Sequence, residues 1–472
     1  MANPKTSRRE TRQDYANPVR PGPIAWANKL GSAAAQLGLR APLSAADLLA
    51  SARRRAGLRD FGGPPFNAPF ERLISSIESE AELHPLGRWM IRESLLRVLQ
   101  NRLRMQRDFG RHREIGAGTI QDPVFIVGLQ RTGTTLLQRL LARDPAHRHL
   151  ASWEAINVAP LDLPRWKAGW QRLRGLGRAP ATFAAHGGSQ SGHTIDPWRL
   201  AHAKLAARSL GYLAPGFFAI HPVEAEAPEE DVLLLAYSFY STVPEATLHV
   251  PSYASWLERQ EQVPAYRHHR RLLRYLQWQR PRSLPPLSRE PNSSSSATAD
   301  AALPRWLLKT PHHLEHLDAL LEVYPDAKMI MTHRDPIQAL ASSCTLMAHG
   351  RGVFTDVVDP RQIGAQWSRK AQRVMRRALE VRERHPHSFF DVHYHELVRD
   401  PLAVLRRLYE AFLERPFHAR LEASFTRHLP RNPQHQHGHR LSTLASFGLD
   451  EATELACFAD YTSRFEIPQE PL

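Results

Sequence analysis

The chain has 472 residues and carries 62 lysine and arginine against 47 aspartate and glutamate, a formal net charge of +15. Two cysteines exclude a disulfide scaffold and fit a reducing, cytoplasmic compartment; no apolar run reaches the roughly 18 residues of a transmembrane helix, and the basic N-terminus lacks the apolar core of a secretory signal. The positive charge would steer an anionic ligand, but without zinc-finger spacing or an RNA-recognition signature it does not indicate nucleic acid.

Residues 1–42 are polar and proline-containing, and are expected to form a partly disordered tail. Residues 43–118 read as a helical extension. Leu48, Leu49 and Ala52, then Leu73, Ile74 and Ile77, then Ile91, Leu95, Leu96, Leu99 and Leu103 recur at helical spacing. Such an extension packs on the core or covers a site on it. From residue 119 to 472 the pattern is that of an α/β domain. It begins with an apolar strand, Val124 to Val127, a turn from Gly128 to Gly133, and a helix through Leu136, Leu137, Leu140 and Leu141. A strand, a Gly-bounded loop and a helix N-terminus make an anion cradle, because the first amides of the helix lack partners and the dipole adds positive potential. The two glycines have P-loop spacing, yet Thr134 stands where the lysine of that motif belongs, and the cation is Arg131 inside the loop. This suits a single 5′-phosphate group better than a metal-bound triphosphate. Arg131, Thr132, Gly133, Thr134 and Thr135 are the candidate ligands; the alternative is a tight turn that binds nothing.

Residues 160–280 read as mostly helical and aromatic, and include the acidic stretch His221-Pro-Val-Glu-Ala-Glu-Ala-Pro-Glu-Glu-Asp231. A Pro- and Ser-rich stretch, 281–304, reads as a flexible insertion. Strand–helix alternation returns over 305–415. Trp306 to Leu308 lead to Lys309, which stands out because nearly all the basic residues are arginine, and which on its own reads as a snorkelling surface lysine. Met329 to Thr332 form a strand with Arg334 beyond its end, Asp335 as a helix N-cap and Pro336 at the first helical position. Ser342 follows eight residues after Arg334. Arg334 at a strand end is a candidate second phosphate anchor, or else a surface arginine paired with Asp335. Phe389 to His393 form a last strand before Tyr394. The whole implies a P-loop-like, mostly parallel sheet flanked by helices.

The segments Gln130-Arg-Thr-Gly-Thr-Thr135 and Arg334 with Ser342, with Trp306-Leu-Leu-Lys-Thr-Pro-His312 between them, resemble the sulfotransferases that use 3′-phosphoadenosine 5′-phosphosulfate (PAPS). Arg143-Asp-Pro145, Trp153-Glu154, Tyr324-Pro-Asp-Ala327 and His333-Arg-Asp-Pro336 are similar to the bacterial branch of that family. The resemblance implies that the first loop holds the 5′-phosphosulfate, that Arg334 and Ser342 hold the 3′-phosphate, that Tyr394 lies near the nucleotide, and that Lys309 meets the bridging or sulfuryl oxygens. It implies PAPS as co-substrate, no metal, and transfer of a sulfuryl group to a hydroxyl or amine of a small molecule, lipid or carbohydrate. A general base is then needed at the acceptor; His221 ranks first, with Glu229, Glu230, His312 and His313 as others. The run His435-Gln-His-Gly-His439 is similar to a late segment that closes over the nucleotide. A P-loop nucleotide kinase, a non-catalytic nucleotide-binding protein and a nucleic-acid binder are the rival readings. Acceptor and oligomeric state are not legible.

Overall fold

Among the described residues five short strands build one parallel sheet: β1 (Val124–Gly128), β2 (His147–His149), β3 (Arg305–Lys309), β4 (Lys328–His333) and β5 (Phe389–His393), in the order β2-β3-β1-β4-β5. The computed structural model describes residues 15–18, 20–162, 196–221, 223–280, 304–429 and 443–470. Residues 281–303 of the expected insertion, and the run from His435 to His439, lie outside them.

Alternate residues of β1, β3, β4 and β5 enter opposite cores, as the two-residue period of a strand requires. Phe125 and Val127 of β1, with Met329 and Met331 of β4, join Tyr266, Leu272, Tyr275 and Leu276 of the helix Val263–Gln279. Val124, Ile126 and Ile330 face the other way, onto Leu137, Leu140 and Leu141 of the helix Thr134–Leu141 and onto Val404, Leu405 and Leu408 of the helix Pro401–Ala411. Cover on both faces explains why the strands are near-continuous apolar runs.

The helices Ala45–Ala56, Asn67–Glu80 and Pro85–Arg111 bury their apolar stripes together, against Phe239, Leu248, Val250, Tyr253 and Leu257. The stretch read as a polar tail also contains a helix, Gly22–Gln36. Its alanines give little periodicity to read, and it is seated by the side chain of Asn28, which accepts from the Leu86 amide at 3.1 Å. Among the described residues no helix is long and apolar enough to cross a membrane.

From β1 the chain passes to β2 and β3 on one side of the sheet, then to β4 and β5 on the other. The carboxyl ends therefore converge at a topological switch point beside β1, where open α/β sheets place ligands.

Candidate active site

Four of the residues singled out from sequence follow the carboxyl ends of four strands: Arg131 after β1, Lys309 closing β3, Arg334 after β4 and Tyr394 after β5. The turn after β1 has little freedom. A Cβ on Gly128 would run into the Thr332 hydroxyl and lie 2.8 Å from Thr132 Oγ1. Gly133 caps the following helix at φ 86°, and a Cβ there would lie 2.8 Å from Tyr394 Cδ2. Both positions need glycine, one for close approach and one for backbone conformation as well. Thr132 is buried; its hydroxyl donates to the Leu129 carbonyl at 2.7 Å and lies 2.6 Å from the Thr332 hydroxyl. Its side chain thus clamps the loop onto β4, leaving its backbone amide as the group it could offer a ligand. Thr134 is buried as well, whereas Arg131 and Thr135 are exposed. Arg131 holds φ 69°, a left-handed conformation uncommon outside glycine.

The two expected anion motifs meet. Arg131 Nε donates to Ser342 Oγ at 3.0 Å, and Arg334 Nη1 donates to the Arg131 carbonyl at 2.8 Å. The Arg334 guanidinium lies over the Tyr394 ring, 4.1 Å from its centroid. Asp335 is not its partner: one Asp335 oxygen caps the next helix through the Ile337 amide at 2.9 Å, and the other accepts from the Glu470 amide at 2.9 Å. The fork of Arg334 instead grips the Glu470 carboxylate, Nε at 2.8 Å and Nη2 at 2.7 Å. No sequence signal announced Glu470.

At β3 a second set of charges is assembled. Lys309 is buried, and its Nζ donates to Glu230 Oε1 at 2.6 Å and to Thr135 Oγ1 at 3.4 Å, which ties it to the first loop. Thr310 Oγ1 donates to the other Glu230 oxygen at 3.2 Å. Burial pushes the Glu230 carboxyl upward, but the charge and hydrogen bond of Lys309 outweigh it and hold Glu230 below the usual carboxylate range. The segment carrying Glu230 is fixed on both sides. Upstream, Pro228 bridges to Ala151 and the Glu229 amide donates to the Leu150 carbonyl at 2.8 Å. Downstream, Asp231 Oδ1 accepts the Lys309 amide at 2.9 Å.

Asp231 is wholly buried. Its Oδ2 lies 2.8 Å from His313 Nε2 and 3.0 Å from His269 Nε2. The far nitrogens of those rings lie 2.9 Å from the Tyr266 hydroxyl and 2.8 Å from the Tyr324 hydroxyl. Burial would raise the Asp231 carboxyl, yet its contacts with His313 and His269 hold it well below the usual range. His313 is thus committed to the interior. His312 is buried too, 3.1 Å from the Thr242 hydroxyl, and burial followed by the neighbouring His316 pushes it well below the usual histidine range. His221 ends the helix Pro215–Ile220, half-buried, with its ring centroid 5.8 Å from that of Phe217. The side chains that reach Lys309 Nζ are Glu230 and Thr135. Glu230 was legible as part of an acidic cluster; Asp231 beneath it was not separable from the same cluster.

A sequence profile described as "Sulfotransferase family" matches residues 123–419. Among solved structures the chain is similar to the sulfotransferase STF1 from Mycobacterium tuberculosis H37Rv, at 30% identity over 88% of this chain and 98% of that one, with a TM-score of 0.66. It is also similar to the sulfotransferase STF9 from Mycobacterium avium, at 25% identity over 91% of this chain and 99% of that one, with a TM-score of 0.69. A search of curated protein sequences yields no match.

Proposed function

This chain belongs to the sulfotransferase family, and from that premise we propose that it takes its sulfuryl group from PAPS and passes it to a hydroxyl or amine acceptor. One observation carries the reading: four strand ends deliver Arg131, Lys309, Arg334 and Tyr394 to one rim of the sheet. The rim fits an adenosine 3′,5′-bisphosphate group. Two cations, Arg131 and Arg334, stand beside the glycine loop, and the helix Thr134–Leu141 that follows it has first amides suited to an anion.

When bound, the donor supplies the sulfuryl group and an anionic leaving group. The backbone amides of Thr132 to Thr135, with the hydroxyl of Thr135, would hold the 5′ side, and Arg334 and Ser342 the 3′-phosphate. Tyr394 fixes Arg334 by stacking beneath it. Lys309 Nζ stands where it can neutralise charge that develops on the departing side, a preorganised cation in a site shielded from water. Glu230 is the better placed base, since its carboxylate already shares Lys309 with the loop. As the charge of Lys309 is drawn to the leaving group, Glu230 loses its partner and its proton affinity rises, just when an acceptor proton must be taken. His221 is the alternative base.

Calorimetric titration with adenosine 3′,5′-bisphosphate, beside adenosine 5′-phosphate and magnesium-ATP, tests the donor site. The bisphosphate is expected to bind tightest, and Arg334→Ala to weaken it by about 10- to 100-fold, the range of a charge-assisted bidentate contact, with little change for the 5′-phosphate. Equal losses for both nucleotides would remove Arg334 from the 3′ site, and preference for magnesium-ATP would favour phosphotransfer.

A further inference from the structure

We propose that Glu470 is an intramolecular competitor for the 3′-phosphate: its carboxylate sits on the anion-binding edge of Arg334 and must leave for the donor nucleotide to be gripped. This rests on the assignment of Arg334 to the 3′-phosphate.

The geometry leaves little choice. A guanidinium offers a planar fork that matches a carboxylate or a phosphate through two parallel hydrogen bonds. In Arg334 the fork of Nε and Nη2 holds both oxygens of Glu470, at 2.8 and 2.7 Å. Nη1 is turned to the Arg131 carbonyl at 2.8 Å, and one face is covered by Tyr394. A phosphate that takes the Nε–Nη2 edge of Arg334 must therefore displace Glu470.

The segment that brings Glu470 there is anchored almost to its tip. The Phe465 ring stacks on His333 with centroids 4.1 Å apart, the Tyr461 hydroxyl lies 3.3 Å from His333 Nδ1, and Ile467 packs on the main core. Beyond Ile467, Glu470 itself is held by Arg334 and by its amide on Asp335 Oδ2, at 2.9 Å. Release thus requires only a short swing of Pro468 to Glu470, while the preceding helix stays docked.

The charge balance favours exchange. Arg131 and Arg334 face this corner together, and Glu470 supplies one negative charge to it. A phosphate monoester brings about −1.5 to −2, so it neutralises both cations where Glu470 neutralises one. The ion pair is partly exposed, with 18% of the Arg334 side chain and 26% of the Glu470 side chain reaching solvent, which makes it a weak lock. A nucleotide that must displace it binds with its affinity scaled by the fraction of molecules in which the edge is free. A nucleotide without a 3′ group makes no such demand.

The test is titration of the full chain with adenosine 3′,5′-bisphosphate and adenosine 5′-phosphate, in four proteins: unaltered, Glu470→Gln, Arg334→Ala and the double variant. Glu470→Gln is expected to tighten the bisphosphate by about two- to fivefold, the equilibrium value of a partly exposed ion pair, and to leave the 5′-phosphate unchanged. In the Arg334→Ala background the same substitution is expected to have no effect, since the edge it frees is gone. If Arg334→Ala abolishes the preference for the bisphosphate while Glu470→Gln changes nothing, the competitor idea fails and the donor-site assignment stands. If Arg334→Ala leaves that preference intact, the assignment fails first and the competitor idea with it. Equal tightening of both nucleotides by Glu470→Gln would also overturn the proposal, because relief of general negative charge would then suffice. Chemical denaturation of each variant confirms that affinities are compared between folded proteins.

Discussion

The two halves of the rim are built on opposite principles. On the proposed donor side, around β1, β4 and β5, the cations are open: Arg131 is exposed, and Arg334 is satisfied by a partly exposed carboxylate from a distant segment. On the proposed transfer side, at β3, Lys309 is buried, and its partner Glu230 adjoins Asp231, a wholly buried carboxylate that accepts from the Lys309 amide. A binding subsite must give up its internal contacts to a ligand, so it uses solvent-facing pairs that are weak. A transfer subsite must hold its charges in place through the reaction, so it buries its cation: 3% of the Lys309 side chain is exposed against 18% for Arg334, while both carboxylate partners stand at 26%. The largest expected effects therefore lie at β3.

Lys309→Ala is expected to lower kcat by about 10²- to 10³-fold, the scale for removing one preorganised stabilising group, while adenosine 3′,5′-bisphosphate still binds. It also has a signature in pH. Burial raises the Glu230 carboxyl, and the interaction with Lys309 is what holds it low. Without Lys309 burial is opposed only by the smaller downward effects of His221 and the Thr310 hydrogen bond, so the acidic limb of kcat/KM, measured across pH in residual-activity assays, is expected to move to higher pH. A limb that stays put would take the role of base from Glu230 and return attention to His221. Full activity of the variant would erase the contrast between the two sides.

Asp231→Asn tests whether the buried layer matters to transfer or only to folding. Asparagine keeps the shape but removes the charge that accepts from the Lys309 amide and lies against His313 and His269. Hydrogen bonds to a charged group contribute about 1.5–3 kcal/mol each, so urea denaturation is expected to show a loss of about 2–3 kcal/mol. In the folded fraction kcat is expected to fall, with the bisphosphate affinity held. A variant that loses stability but keeps kcat would reduce Asp231 to a core residue.

The sequence disclosed these two sides unequally, for a physical reason. The donor side is written in short motifs: the glycine turn after β1, the Arg334-Asp335-Pro336 helix start and Tyr394 after β5 are each local, and the structure brings the first two into contact through Ser342 and the Arg131 carbonyl. Strands were legible for the same reason, since each apolar run is local and buried on both faces. The transfer side depends on pairings far apart in sequence. Lys309 meets a segment 78 and 79 residues away, and on the donor side the partner of Arg334, Glu470, lies 136 residues away and was hidden in the same way. No spacing rule connects such residues; only the order of the strands does. The helix Gly22–Gln36 was missed because its support is tertiary, through Asn28 and the start of the helix Pro85–Arg111.

The smallest expected effect sharpens the contrast inside the donor loop itself. From sequence, Thr132 joins Thr134 and Thr135 as a hydroxyl for the phosphate. In the fold its hydroxyl is buried and bonded to the Leu129 carbonyl and the Thr332 hydroxyl. Thr132→Val keeps the shape and removes those bonds, leaving the Thr332 hydroxyl with the Val127 carbonyl, at 3.3 Å, as its remaining partner. A lost buried hydrogen bond costs about 1 kcal/mol, so thermal denaturation is expected to show a modest drop. Bisphosphate affinity is expected to fall by less than that free energy, since the loop amides keep their backbone. Thr135→Val removes the hydroxyl that accepts from Lys309 and is expected to act in the opposite sense, on turnover more than on stability. If Thr132→Val instead costs more in binding than in stability, the hydroxyl faces the ligand in the working enzyme, and the loop rearranges when the donor arrives.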